Sequence, residues 1–346
     1  MAFLGPDHPA IAHRGWCDRR NPSSTRLVWA GTGFALRFSG TSSQVHLEGR
    51  GMLEILLDGL PVALLGPDMP TAPFRVLAAE VRGEHLLEIR KRTEPVAGTV
   101  SFRGIDLDGT ALEPMSERVP SLLFLGDSLT CGYGVLAPDG TDGFEAETED
   151  IFRSYAGVAA RELGASFQAC AWSGKGMVEN FDRTTSETIP ALWRRSDPSD
   201  PSSVLETPPP PDLVLVNLGT NDVFHRDPDW DVFLERALAL AKDLRNAFPG
   251  VAILWLDGPA LTDEALRDAQ GRARPLLTRI RSALDAIAER TTSEGPSLRF
   301  SLPSCESTEP HGADRHPGLE RHRLAGMELA AFVRREATRG FLPRFG

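Results

Sequence analysis

The chain is poor in the features that would commit it to a metal, a membrane or a nucleic acid. It has four cysteines in 346 residues. Cys17, Cys131, Cys170 and Cys305 are far apart and never spaced Cys-x-x-Cys. That pattern disfavours a zinc site or a disulfide framework and reads as small buried side chains. No apolar run approaches the length of a membrane span, so no membrane partner is expected. There is no basic surplus: 48 acidic residues outweigh 37 basic ones, for a net charge of -11. A nucleic-acid surface needs the opposite balance. The first fifteen residues lack a basic start followed by a long apolar stretch. The expectation is therefore a protein that stays in the cytoplasm, or a secreted one whose leader has been removed. No internal repeat is evident.

What is present changes character near residue 115. From about 10 to 112 no long amphipathic helix is evident. Phe34, Leu36 and Phe38 alternate with smaller or polar residues, as do Val45 with Leu47, and Leu53 with Ile55 and Leu57. Leu87 with Ile89, Val100 with Phe102, and Ile105 with Leu107 repeat the period. SGTSS, GRG, DGLP, GPDMP, RGEH and DG separate the runs. Short alternating strands with such turns predict an all-β sandwich of jelly-roll type over residues 1–115. EPMSERVP, residues 113 to 120, reads as the link.

Beyond it, short apolar strands near 122–125, 167–172, 213–218 and 253–256 alternate with helical periodicity near 151–163, 231–247, 275–290 and 319–336. This predicts an α/β/α domain over 116–346 with a mainly parallel sheet. Two long insertions interrupt it. One is acidic, from Pro138 to Asp150. The other runs from Arg183 to Pro211 and is rich in Pro, Ser and Asp. Both are expected near the carboxyl ends of the strands, where open α/β sheets hold their ligands.

Four polar segments follow buried strands or precede the last helix. LLFLGDSLTCGYGV carries Ser128 directly after a strand. AWSGKGM carries Gly174, whose bare backbone N–H can approach a ligand closely. LVLVNLGTNDVF carries Asn221, whose amide can donate to a developing oxyanion. HGADRHPGLERH carries His316, with His311 and His322 as competitors. Asp127 reads as a brace of the Ser128 turn.

Together these are the parts of serine acyl transfer: Ser128 as nucleophile and His316 as the base that takes its proton and returns it to the leaving group. The Ser128 N–H, the Gly174 N–H and the Asn221 amide serve as oxyanion donors. One such donor is worth about 3 kcal/mol of transition-state stabilisation. The second ring nitrogen of the base needs an acceptor, and Asp314 is the nearest carboxylate in sequence.

GDSLT, WSGKG, GTND and DRHPG resemble blocks one, two, three and five of the SGNH (GDSL-type) hydrolases. GDSLTCGYGV, AWSGKGM and NLGTND resemble carbohydrate esterase family 2, and WAGTGFALRFSGTS and EIRKRTEPVAG are similar to that family's N-terminal sandwich. The resemblance implies a carbohydrate acetyl esterase that frees O-acetyl groups from acetylated saccharides, in several members at the primary 6-hydroxyl. It implies no metal and no organic cofactor. It also implies the same roles for Ser128, Gly174, Asn221 and His316. The usual SGNH pattern puts the acid three residues before the histidine, which is Ala313 here. Asp314 at two residues before, or a backbone carbonyl, is the family's alternative.

Trp172, beside Gly174, and Asp222, beside Asn221, are expected to bind substrate. Trp193, Trp230 and Trp255 are further candidates for a sugar platform, weighed against core packing. Two rival functions are a lipase or thioesterase with a long apolar groove, and a carbohydrate-binding protein whose esterase activity is incidental.

Overall fold

A computed structural model describes residues 1–114, 119–206, 208–263, 267, 270–305 and 308–342. Residues 115–118, half of the expected link, lie outside them. The chain forms two compact units. One comprises Met1–Arg118 with Arg195–Leu205, and the other comprises Val119–Arg194 with Glu206–Gly346.

The first unit holds nine strands: β1 (Ala2–Leu4), β2 (Ile11–Arg14), β3 (Asp18–Asn21), β4 (Ser24–Leu27), β5 (Gly33–Gly49), β6 (Leu53–Leu57), β7 (Leu60–Leu65), β8 (Phe74–Lys91) and β9 (Val100–Ala111). They form one antiparallel sheet in the order β3-β4-β9-β5-β8-β6-β7, with β1 on β9 and β2 on β5. Phe34, Leu36, Phe38, Val45, Leu47, Ile55, Ile89, Phe102 and Ile105 share one apolar core. The alternation read from the sequence is thus the inward face of this sheet.

The punctuation differs from expectation. SGTSS does not end a strand. β5 runs through it for 17 residues, with a register shift between Gly40 and Ser42. Likewise RGEH lies inside β8 and Asp108-Gly109 inside β9. Gly40 faces Gly109, and a Cβ on either would sit within 2.4 Å of the opposing backbone. These glycines mark a close approach of paired strands rather than a turn.

The first unit also takes in part of the Pro/Ser/Asp-rich insertion. Trp29 Nε1 donates to the Arg195 carbonyl at 2.7 Å. Arg26 pairs with Asp197 at 2.7 Å, and Arg20 with Asp200 at 2.8 Å. This stretch, expected near the carboxyl ends of the parallel strands, packs on the antiparallel sheet within the first unit. Arg195–Leu205 is held by one arginine from each of two strands, Arg20 of β3 and Arg26 of β4, and by one indole.

The second unit is a five-stranded parallel sheet: β10 (Ser121–Gly126), β11 (Ser166–Ala171), β12 (Leu213–Asn217), β13 (Ala252–Asp257) and β14 (Ser297–Ser301), ordered β11-β10-β12-β13-β14. Its helices are α1 (Ser128–Cys131), α2 (Tyr155–Glu162), α3 (Ile189–Leu192), α4 (Thr220–Phe224), α5 (Trp230–Ala247), α6 (Leu276–Thr291) and α7 (Leu319–Thr338). β10, β12 and β13 are buried along nearly their whole length, as their continuous apolar runs require.

β10 lies between β11 and β12, so the chain reverses its winding direction there. Such a switch point opens a crevice at the carboxyl ends of its strands. α2 and α7 pack closely because Gly326 faces Val158, where a Cβ would approach to 2.5 Å. Among the described residues no helix is long and apolar enough to cross a membrane.

Candidate active site

β10, β11 and β12 each end in one of the polar segments. After Gly126 the chain turns sharply through Asp127 into α1. Gly126 is required there, since a Cβ would sit 2.0 Å from Thr130 Oγ1. Asp127 caps α1: its Oδ1 accepts the Leu129 N–H at 3.0 Å. The turn presents Ser128, nine-tenths buried, with no hydrogen-bond partner for its backbone N–H among the described residues.

The Ser128 Oγ lies 2.8 Å from His316 Nε2. The other ring nitrogen, Nδ1, lies 3.1 Å from the carbonyl oxygen of Ala313. A carbonyl only accepts, so Nδ1 carries the proton and Nε2 is left as the acceptor for the serine hydroxyl. Burial pulls the His316 pKa below its ordinary value, against the opposing pull of the Ala313 carbonyl and the Asp314 charge. The imidazole is therefore neutral and basic near neutral pH.

Asp314, expected to accept from the base, does something else. Its Oδ2 accepts the Tyr133 hydroxyl at 2.6 Å and its Oδ1 accepts the Gly143 N–H at 3.0 Å. These two bonds hold its carboxyl below the usual range. The acidic insertion 138–150 supplies Gly143, and it also supplies Asp139, whose Oδ1 accepts the His311 N–H at 3.1 Å. The competing histidines stay away from Ser128. His311 Nε2 sits 3.6 Å from Cys305 Sγ, and buried His322 accepts the Tyr155 N–H at 3.1 Å. All four cysteines are free thiols, and Cys131 is fully buried.

Gly174 takes φ 77°, and a Cβ there would meet only Phe181, at 3.6 Å. Its N–H has no partner among the described residues. The Asn221 amide donates to the Lys175 carbonyl at 2.9 Å and, on a longer contact, to Asp127 Oδ2 at 3.3 Å. Asn221 thus ties together the residue before Ser128 and the residue after Gly174. Three N–H donors from three strand ends border the nucleophile's turn.

The two expected substrate contacts part ways. Trp172 is half-buried, with Lys175 Nζ 5.1 Å from the centre of its ring. Asp222 is buried, and its carboxylate accepts three backbone N–H groups: Met177 at 2.9 Å, Val178 at 2.7 Å and Glu179 at 2.9 Å. Burial nevertheless raises its pKa. Saturated in this way, Asp222 is a brace for the loop after Gly174, not a surface for a sugar. Trp193 and Trp255 are core residues, each donating its indole N–H, to Asp243 and Ser297 respectively. Trp230 packs its ring against Phe233.

Several contributors gave no signal in the sequence. The Ala313 carbonyl is invisible because every residue has one. Tyr133 lies with its ring 4.4 Å from the His316 ring. Thr130, Tyr155 and Asn217 form a buried chain, 2.7 Å and 3.2 Å long at its two links. Asn217 continues it to the Gly258 carbonyl at 3.0 Å, joining α1 and α2 to the carboxyl end of β12 and the residue after β13.

Residues 124–320 match the GDSL-like Lipase/Acylhydrolase family, and residues 14–115 match Carbohydrate esterase 2 N-terminal. Cellulase/esterase CelE of Acetivibrio thermocellus is 27% identical over 335 residues, which is 95% of this chain and 40% of that protein. The chain thus spans less than half of that relative. An acetylxylan esterase / glucomannan deacetylase of Cellvibrio japonicus is 23% identical, covering 96% of this chain and 90% of the relative. A family two carbohydrate esterase from Clostridium thermocellum, solved with cellohexaose, superimposes with a TM-score of 0.84 at 27% identity, over 96% of this chain and 100% of the other. The chain belongs to the GDSL-like lipase/acylhydrolase family and carries a carbohydrate esterase 2 N-terminal domain ahead of that region, in the fold of the solved family two carbohydrate esterase.

Proposed function

We propose that the protein is a serine esterase that removes O-acetyl groups from carbohydrates. The observation that carries this reading is the 2.8 Å contact of Ser128 Oγ with His316 Nε2, together with the Ser128 and Gly174 N–H groups, which have no partner among the described residues. Ser128 attacks the acetyl carbonyl carbon while its proton passes to Nε2. The oxygen that becomes negative is met by the Ser128 and Gly174 N–H groups. The Asn221 amide joins them by giving up its long contact to Asp127. Collapse expels the sugar oxygen, which takes the proton from Nε2. Water, activated by the same nitrogen, then hydrolyses the acetyl-enzyme. No step calls for a metal or organic cofactor.

The sugar assignment draws on the relatives, whose names specify acetylxylan and glucomannan deacetylation. It also draws on Trp172, half-buried and two residues before Gly174, whose indole is the side chain suited to covering the apolar face of a pyranose. The primary 6-hydroxyl ester is the proposed position. Acetate release followed by NMR from 6-O-acetyl glucose, acetylated xylo-oligosaccharides and a butyryl ester tests this. Rapid loss of sugar acetyl groups, abolished in Ser128→Ala, is expected. Turnover of the butyryl ester alone would instead make the protein a lipid or thioester hydrolase, and activity surviving in Ser128→Ala would remove the nucleophile.

A further inference from the structure

His316 sits on a hairpin whose shape local preferences do not explain. Asp314 and Arg315 hold φ values of 50° and 60°. A residue with a Cβ keeps such left-handed values only when its surroundings enforce them. The enforcing contacts converge on Asp314. Its N–H donates to the Thr141 carbonyl at 2.9 Å, and its carboxylate takes the Tyr133 hydroxyl at 2.6 Å and the Gly143 N–H at 3.0 Å. One residue earlier, the Ala313 N–H donates to the Gly134 carbonyl at 3.2 Å. The turn closes with the His316 N–H donating to the Ala313 carbonyl at 2.9 Å, the same oxygen that Nδ1 meets. Tyr133 reaches the base itself as well, its ring inclined 31° to the imidazole with centroids 4.4 Å apart.

We propose that Tyr133 is a positioning residue with Asp314 as its anchor, the two holding the 313–316 turn so that the Ala313 carbonyl stays aimed at His316 Nδ1. This rests on the esterase reading above. It divides the work of a triad acid between two groups. The carbonyl fixes the tautomer by contact. The carboxylate fixes the carbonyl, and acts on the imidazole only through space. Both of its oxygens are taken by Tyr133 and Gly143.

The anchor and a triad acid respond differently to Asp314→Asn. An amide in place of a triad acid holds the base in the wrong tautomer and costs about 10⁴ in kcat. An anchor keeps its acceptor for the Gly143 N–H and a polar partner for Tyr133, so the loss stays within about tenfold. Tyr133→Phe keeps the ring over the imidazole and removes only the hydroxyl. It lowers kcat by about tenfold and leaves KM in place. Once Asp314→Ala has removed the anchor, adding Tyr133→Phe costs little more, because the two act as one unit.

A pH profile separates positioning from general loosening. Among the described residues, the charged and titratable groups facing His316 are Asp314, the Tyr133 phenol and the buried His322, which stays neutral. Removing the Asp314 charge moves the acid limb of kcat/KM to lower pH, and Tyr133→Phe leaves it where it is.

The readouts are 4-nitrophenyl acetate hydrolysis and the rate at which a fluorophosphonate labels Ser128, neither of which needs a sugar. A loss near 10⁴ in Asp314→Asn, or wild-type kcat in Tyr133→Phe, overturns the proposal and leaves the esterase intact. A wild-type protein inert to both probes overturns the esterase reading and this proposal with it.

Discussion

Replacing Asp222 separates a brace from a sugar ligand. Its carboxylate receives three backbone N–H groups from consecutive residues, Met177 to Glu179. A hydrogen bond to a charged group is worth about 1.5–3 kcal/mol, and the cost of burying the charge offsets part of that gain. In Asp222→Ala three amides lose their acceptor in a buried place, for a net loss of about 3–5 kcal/mol. A domain of 150–250 residues loses about 2–4 °C per kcal/mol, so Tm falls by about 6–20 °C. In Asp222→Asn one oxygen still serves two amides, and the new NH₂ faces the Met177 N–H, donor against donor; about half the loss is expected.

The effect reaches the chemistry through Gly174. Its carbonyl takes the Phe181 N–H at 2.7 Å, so the loop that Asp222 braces also fixes the oxyanion donor. Thermal unfolding with kcat and KM for an acetylated sugar and for 4-nitrophenyl acetate is the assay. A falling Tm with kcat reduced on both esters is the expected result. An unchanged Tm, an unchanged kcat on 4-nitrophenyl acetate and a raised KM for the sugar alone would show that Asp222 touches substrate.

Three further outcomes are expected. Asn221→Ala lowers kcat by about 10²–10³ with a smaller effect on KM, the signature of a donor needed in the transition state; an equal rise in KM with kcat unchanged would make Asn221 a binding group. Burial lowers the pKa of His316, and the base works unprotonated, so the acid limb of kcat/KM lies below the ordinary histidine value of about 6.5. A limb above that value in the pH–rate profile would contradict the buried, carbonyl-bound ring. Burial also lowers His322 from 6.5 to about 3. The unfolded chain therefore binds the proton first. Stability is full above about 6.5 and declines as pH falls towards 3, by up to about 5 kcal/mol. Denaturant unfolding of His322→Gln should show a shallower acid decline, and an identical slope would remove His322 from the account.

What the sequence made legible follows from which interactions leave a residue signature. Buried parallel strands are continuous apolar runs, so β10, β12 and β13 were found to within a residue or two. β14 was missed because Ser297, Arg299 and Ser301 interrupt its apolar positions, as an edge strand with partial exposure permits. In the first unit the inward faces were readable, but strand lengths were not. A glycine at a bend inside a paired strand looks the same as one in a turn. The polar strand ends announced Ser128, Gly174, Asn221 and His316. Two acids were read by proximity in sequence. Asp314 stands near the histidine and Asp222 near the asparagine, yet each spends its oxygens on backbone amides or a tyrosine. Nothing in a linear string distinguishes a carboxylate offered to a ligand from one already consumed.

The excursion of Arg195–Leu205 bears on how this protein can be taken apart or inherited. The chain enters the second unit at residue 119, returns to the first at 195 and leaves it again after 205. The antiparallel unit is therefore not a cassette that a single cut can lift out. A protease nick between 115 and 118 leaves both pieces joined by the later passage, so they should co-elute under native conditions and part only in denaturant. A fragment ending at 115 would strip Trp29, Arg26 and Arg20 of their partners at Arg195, Asp197 and Asp200. Gene fusion or loss in such a lineage has to carry both stretches together, which makes the pair a single heritable block despite having two cores.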